Sequence, residues 1–129
     1  MTLEAMYQEE ILDHYRNPRN KRKLQNPSVH AHDSNPLCGD VIDIYMVVGR
    51  DNTLKEVAFE GNGCAISQAA ASMLTEQIAG KRLEDVLRME KEDVFKMLGI
   101  PLSPVRVKCA LLALKVAKVG AVEYLSNGK

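Results

Sequence analysis

Three cysteines stand in three different turn-like settings: Cys38 in Asn35-Pro36-Leu37-Cys38-Gly39-Asp40, Cys64 in Gly61-Asn62-Gly63-Cys64, and Cys109 in Ser103-Pro104-Val105-Arg106-Val107-Lys108-Cys109. A thiolate is both a soft ligand and a nucleophile, and three of them with the carboxylate of Asp40 would make a four-point site for zinc or an iron-sulfur cluster. The intervals of 26 and 45 residues match no zinc-finger or ferredoxin pairing, because those use short Cys-x-x-Cys steps that give a rigid local chelate. Taken singly, a cysteine is more often a small buried hydrophobe than a ligand. Gly39 and Gly63 permit unusual backbone geometry and close approach by another group, which a purely structural cysteine seldom needs. Buried thiol, zinc ligand and redox centre all remain open on the residues alone.

The elements that must position these residues follow from periodicity. Leu3, Met6, Tyr7, Ile11, Leu12 and Tyr15 recur at helical spacing, so an amphipathic helix is expected over Leu3 to Tyr15, ended by Asn17-Pro18. Asp40 to Val48 alternates as a strand, Gly49-Arg50-Asp51-Asn52 is turn chemistry, and Leu54 to Glu60 is the antiparallel mate. Val29 to Asp33 is a further strand, since two strands alone are marginal. Gly61-Asn62-Gly63 reads as a turn, after which helical spacing resumes from Ile66 to Ile78 with Gly80 as C-terminal cap. Short helices follow at Leu83 to Met89 and Lys91 to Leu98, and Pro104 opens a long last helix through Leu125. Strands followed by helices predict an α+β fold: a small three-stranded antiparallel sheet with helices packed on one face and a long C-terminal helix. Each cysteine then falls at an element boundary. Boundaries at one end of a sheet can converge although distant in sequence, and helix N-termini favour anions.

With 129 residues and no linker rich in Gly, Ser or Pro, residues 1–129 read as a single domain. Such a domain buries roughly two thirds of its unfolded surface, which suffices for a core without staples and leaves the cysteines for chemistry. Lys+Arg and Asp+Glu both number 17, so nothing in the overall charge points to nucleic acid. Arg16, Arg19, Lys21, Arg22 and Lys23 form a local positive stretch, either a solvated loop or a surface for an acidic partner. The N-terminus has early acids and no long apolar stretch, so neither a secretory signal nor a membrane span is expected, and a cytoplasmic, reducing setting is. An odd cysteine count in that setting argues against a disulfide framework.

Taken together and in order, Asn17-Pro18-Arg19-Asn20, Asn35-Pro36-Leu37-Cys38-Gly39-Asp40, Phe59-Glu60-Gly61-Asn62-Gly63-Cys64-Ala65-Ile66-Ser67 and Ser103 to Cys109 resemble the signature blocks of the IscU, NifU N-terminal and SufU family. The resemblance runs from the first helix to the last. It implies a non-enzymatic scaffold on which a 2Fe-2S cluster is assembled from iron and from persulfide sulfur delivered by a cysteine desulfurase, then passed to acceptor apoproteins. It also implies that Cys38, Cys64 and Cys109 are the cluster and metal ligands, with Asp40 as a weaker, harder fourth ligand that can let go. Zinc or iron in the cluster-free form, and a homodimer that couples two clusters into a 4Fe-4S unit, are further implications. For sulfur receipt the first candidate is Cys109, beside Lys108 at the helix start, and the second is Cys38 in its Gly-bounded loop.

The chain departs from the family pattern in two places. Where IscU proper usually has histidine before the third cysteine, this chain has Lys108, as SufU-like proteins do; that ammonium could pair with Asp40, favour the Cys109 thiolate, or simply be solvated. Yet the interval from Cys64 to Cys109 lacks the insertion associated with SufU, leaving an IscU-like length. In addition, Leu102-Ser103-Pro104-Val105-Arg106 replaces the Leu-Pro-Pro-Val-Lys motif read by a specialised Hsp70 chaperone, which puts recognition by that chaperone in doubt. His14, His30 and His32 lie away from the cysteine blocks and read as surface or locally hydrogen-bonded groups. Three functions stand side by side: an assembly scaffold, a zinc-bound sulfur acceptor that stimulates a desulfurase, and a structural-zinc interaction module.

Overall fold

The computed structural model describes residues 3–36 and 39–127, with side chains from Glu9 onward; Cys38 lies outside the described residues. The chain runs α1 (Leu3–Arg16), β1 (Val29–Asn35), β2 (Asp40–Val48), β3 (Leu54–Asn62), α2 (Ala65–Ile78), α3 (Leu83–Arg88), α4 (Lys91–Leu98) and α5 (Pro104–Ser126). The strands form one antiparallel sheet in the order β1-β2-β3. The alternation in β2 sorts its two faces. Ile42, Ile44 and Met46 are fully buried, with Phe59 and Val57 opposite the latter two, and this inner face packs against α2 and α5. Tyr45 and Ala58 face outward, where Leu24 covers them in a small satellite cluster.

The expected elements are present, with two differences. β3 does not stop at Glu60: Gly61 and Asn62 stay in the strand opposite Ile42 and Val41. Their composition favours a turn, but the first rungs of β2 would otherwise lack a partner, so the ladder extends through them. The positive stretch after α1 is bound to its own chain as well as to solvent. Asn20 accepts a hydrogen bond from the Phe59 amide at 2.9 Å on the outer edge of β3, and Arg19 and Arg22 pair with Asp13 and Glu56 at 2.6 and 3.2 Å. No helix among the described residues is long and apolar enough to cross a membrane.

α2 is the central helix, touching α1, β3, α4 and α5, and its run Ser67–Thr75 is buried throughout. Small residues at Ala69, Ala70 and Ala71 allow that all-round packing. Among its polar members, Ser72 is satisfied by α1 and the segment after it: Ser72 Oγ accepts from the Arg19 amide at 2.8 Å and lies 2.8 Å from His14 Nδ1. His14 is buried, and burial, helped by the positive charge of Arg19, holds its pKa below the ordinary value. A base that is harder to protonate folded than unfolded contributes stability that is present above the unfolded pKa of about 6.5 and lost as pH falls through the folded value. Lowering the pH from about 7.5 to 5.5 is therefore expected to destabilise the chain through His14. In urea titrations at the two pH values, His14→Gln should shrink the difference in midpoint; an unchanged difference would exclude His14 as its source.

Candidate functional site

Asp40 opens β2 and Cys64 follows the last residues of β3, so antiparallel pairing brings the start of one strand beside the end of the other: Val41 stands opposite Asn62. Cys64 is the N-cap of α2, and its side chain does not bond its own helix. The carboxylate of Asp40 takes that place. Its Oδ1 accepts the Cys64 amide at 2.9 Å, and the Cys64 thiol reaches Oδ2 at 3.9 Å. Asp40 is wholly buried, an unusual place for a carboxylate, and the hydrogen bond from the Cys64 amide at the helix N-terminus is what makes that burial tolerable.

Gly63 is required by this arrangement. A Cβ there would lie 2.8 Å from Asp40 Cγ and 2.9 Å from Ser67 Oγ, and its φ of +151° is one that side-chain-bearing residues rarely adopt. Ser67 in turn donates to the Cys64 carbonyl at 3.1 Å, bracing the first turn of α2.

The third component comes from α5. Ser103 caps that helix by accepting the Arg106 amide at 3.4 Å, and Pro104 occupies its first turn. Cys109 is fully buried, and its thiol lies 3.6 Å from the Val105 carbonyl. One ligand atom each from Asp40, Cys64 and Cys109 falls within 4.8 Å of the others, in a mixture of full and partial burial. Two thiols and a carboxylate at this spacing fit a zinc or iron ion in tetrahedral surroundings, with a fourth position left for a further ligand.

Sequence reasoning looked to Lys108 for electrostatic support, and Lys108 is exposed, with no ion pair to Asp40 among the described residues. Adjacent residues on a helix point in different directions, whereas positions three apart share a face. Arg106 is three before Cys109, and its guanidinium hydrogen-bonds both Cys109 and Cys64; the negative charge of Cys64 is the main cause that raises the Arg106 pKa above its ordinary value. The signal was available in the spacing from Cys109 once a helix starting at Pro104 was expected.

A guanidinium at the two sulfurs opposes the arrival of a cation. Replacing Arg106 by Gln is expected to tighten zinc binding about three- to tenfold, a modest gain because the arginine is exposed and screened. Competition against a chromophoric chelator measures this. Weaker binding in the variant would show instead that Arg106 holds the sulfurs in place.

The family model described as NifU-like N terminal domain matches residues 6–129. The chain is 37% identical to the zinc-dependent sulfurtransferase SufU of Bacillus subtilis (strain 168), over 94% of this chain and 92% of that protein. It is 35% identical to the iron-sulfur cluster assembly scaffold protein IscU 1 of Archaeoglobus fulgidus, over 96% of this chain and 80% of the other. Among solved structures, a candidate SUF-system scaffold protein from Fervidobacterium islandicum AW-1 aligns with a TM-score of 0.78 at 27% identity, covering 88% of this chain and 94% of that one. The sheet, the helix order and the meeting of Asp40, Cys64 and Cys109 thus sit in a chain that belongs to the NifU-like N-terminal domain family.

Proposed function

We propose that this chain is a scaffold that assembles iron-sulfur clusters and releases them to acceptor proteins. The observation that carries the reading is the convergence of Asp40, Cys64 and Cys109. A site meant to keep its metal gains from a full set of thiolates or imidazoles. One that mixes thiolates with a carboxylate holds iron through the sulfurs and keeps one exchangeable oxygen position. Iron and sulfide are cargo, so the chain needs no turnover of its own. Cys38, three residues after the end of β1 in the sequence and two before Asp40, is proposed as the remaining thiolate, and a 2Fe-2S unit as the first product.

Sulfur would enter by thiol exchange. A scaffold thiolate, Cys38 or, once its burial is relieved, Cys109, attacks the outer sulfur of a persulfide on a cysteine desulfurase, forming a new S–S bond as the old one breaks and the desulfurase thiolate leaves. Reductive coupling of two 2Fe-2S units to 4Fe-4S in a homodimer, with two electrons supplied by an external electron-donor protein, belongs to the same reading. A chaperone contact at residues 102–106 is not part of it, because Ser103 there is engaged as a helix cap and Arg106 is turned to the sulfurs.

A second reading, a zinc-bound sulfur acceptor, draws support from the 37% identity to the zinc-dependent sulfurtransferase. Anaerobic reconstitution with ferrous iron, cysteine and a desulfurase separates the two. The scaffold reading expects visible cluster absorption on this chain that moves to apo-ferredoxin. Protein persulfide without cluster would overturn it in favour of the acceptor, and neither product would exclude both.

A further inference from the structure

Granted the scaffold reading, we infer that the groove between α5 and the end of β1 is where the cluster acceptor docks, through a segment that sets an apolar side chain among carboxylates and thiolates. Helical spacing builds one wall of this groove. Lys108, Leu111, Leu112 and Lys115 stand at i, i+3, i+4 and i+7 and share one face of α5. Pro36, directly after β1, forms the opposite side, and the space between them is about 460 Å³. That lies within the roughly 300–1,000 Å³ of specific binding pockets.

Its floor is apolar and its rim is positive. Leu112 is buried and Leu111 half-buried, while both lysines are exposed at the two ends, about 10 Å apart along the helix. Lys115 is fixed there: its Nζ lies 2.8 Å from Asp33 Oδ2 on β1, and this bond holds the Asp33 carboxyl below its ordinary pKa. Lys108 has no ion pair among the described residues. It does not serve the thiols either, since Arg106 bonds Cys109 and Cys64. The ammonium next in sequence to Cys109 is therefore left for a group that arrives from outside.

Charge complementarity chooses the occupant. An acceptor that takes a 2Fe-2S unit presents up to about four thiolates, whereas a sulfur donor presents one sulfur at a time, so the positive rim favours the acceptor more. An apolar side chain on Leu111 and Leu112 would fix the acceptor's register, and Lys108 would steer its carboxylates and thiolates toward the cargo site. Groove and site adjoin, because Lys108 and Cys109 are neighbours on α5 and Pro36 and Asp40 flank the same turn between β1 and β2.

The test is a titration of the cluster-free full chain with an acidic apo-ferredoxin, followed in methyl spectra. Saturable shifts at Leu111 and Leu112 are expected. Lys108→Glu should weaken binding about tenfold at low salt and by no more than about twofold near 0.5 M salt, where exposed charges are screened. Leu111→Ser should weaken it about fivefold at either salt, because the apolar contact is not screened. Lys91→Glu, an exposed position on α4, is the control and should bind as the parent does. Methyl signals outside the groove report that each variant is folded. On cluster-loaded chains, transfer to apo-ferredoxin should slow by the same factors while loading by a desulfurase keeps its rate. The absence of saturable shifts at the two leucines overturns the inference. So does slower loading in the variants with unchanged apo-ferredoxin binding, which would assign the groove to the sulfur donor. Failure to form any cluster would sink the scaffold reading alone, since the titration reads docking without cargo.

Discussion

Gly63→Ala is expected to lower stability by about 3 kcal/mol and to abolish the meeting of Asp40 with Cys64. The new methyl would fall 2.8 Å from Asp40 Cγ, and Asp40 is wholly buried. Either the carboxylate moves and gives up the Cys64 amide, or the backbone leaves its φ of +151° and α2 starts elsewhere. Each route leaves a buried polar group unpaired, at about 1–3 kcal/mol, and adds backbone strain of similar size. In urea the midpoint should fall by about 1–2 M. Gly80→Ala is the control, since Gly80 has a φ of +85° but nothing within 4 Å of its added carbon. It bears the conformational cost alone, and its loss should be about 1 kcal/mol. Equal losses in the two variants would show that contact with Asp40 does not set the cost at Gly63. Zinc stoichiometry, measured alongside, should fall in Gly63→Ala and hold in Gly80→Ala.

The legibility of this fold varied with how local each signal was. β2 could be read with its limits, Asp40 to Val48, because alternation over nine residues is strong and a turn follows it. The start of α5 was legible from Pro104, since proline suits a first helical turn and few other places. Gly61 and Asn62 misled because local composition competes there with a ladder whose partner residues, Ile42 and Val41, lie some twenty positions earlier. Arg19 and Arg22 looked like an outward-facing charge run because Asp13 and Glu56 are not contiguous with them. At the site, Cys64 and Cys109 were singled out from their flanks, and Asp40 from its place beside Cys38 and Gly39. Their approach to within 4.8 Å depends on a strand pairing and on α5 packing over α2, which no interval in the sequence encodes by itself. Lys108 adjoins Cys109 in the chain and so suggests itself as its support, whereas a helix brings the third residue, not the next, to the same side, and that residue is Arg106.

Asp40→Ala is expected to make a reconstituted cluster persist about tenfold longer than on the parent chain, while making the cluster-free chain less stable. The two effects have different origins. In the cluster-free chain the carboxylate satisfies the Cys64 amide at 2.9 Å, and its loss leaves that donor unpaired at about 1–3 kcal/mol. In the proposed cluster-bound state the same carboxylate would be the hardest donor of the set and the one most readily exchanged for water or an incoming thiolate. Replacing it with a methyl removes the exchangeable oxygen and lines that side of the site with apolar surface, which slows solvent entry. The Asp40 position, fully buried against the first turn of α2, is where such a change in polarity would count most. Anaerobic chelator challenge, followed by visible absorption, measures the lifetime; thermal melting of the cluster-free chains measures the other effect. Loss of cluster from the variant as fast as from the parent would show that Asp40 serves the fold and not release. A longer lifetime with no transfer to apo-ferredoxin would show that the exchange at this one oxygen is the step by which cargo leaves.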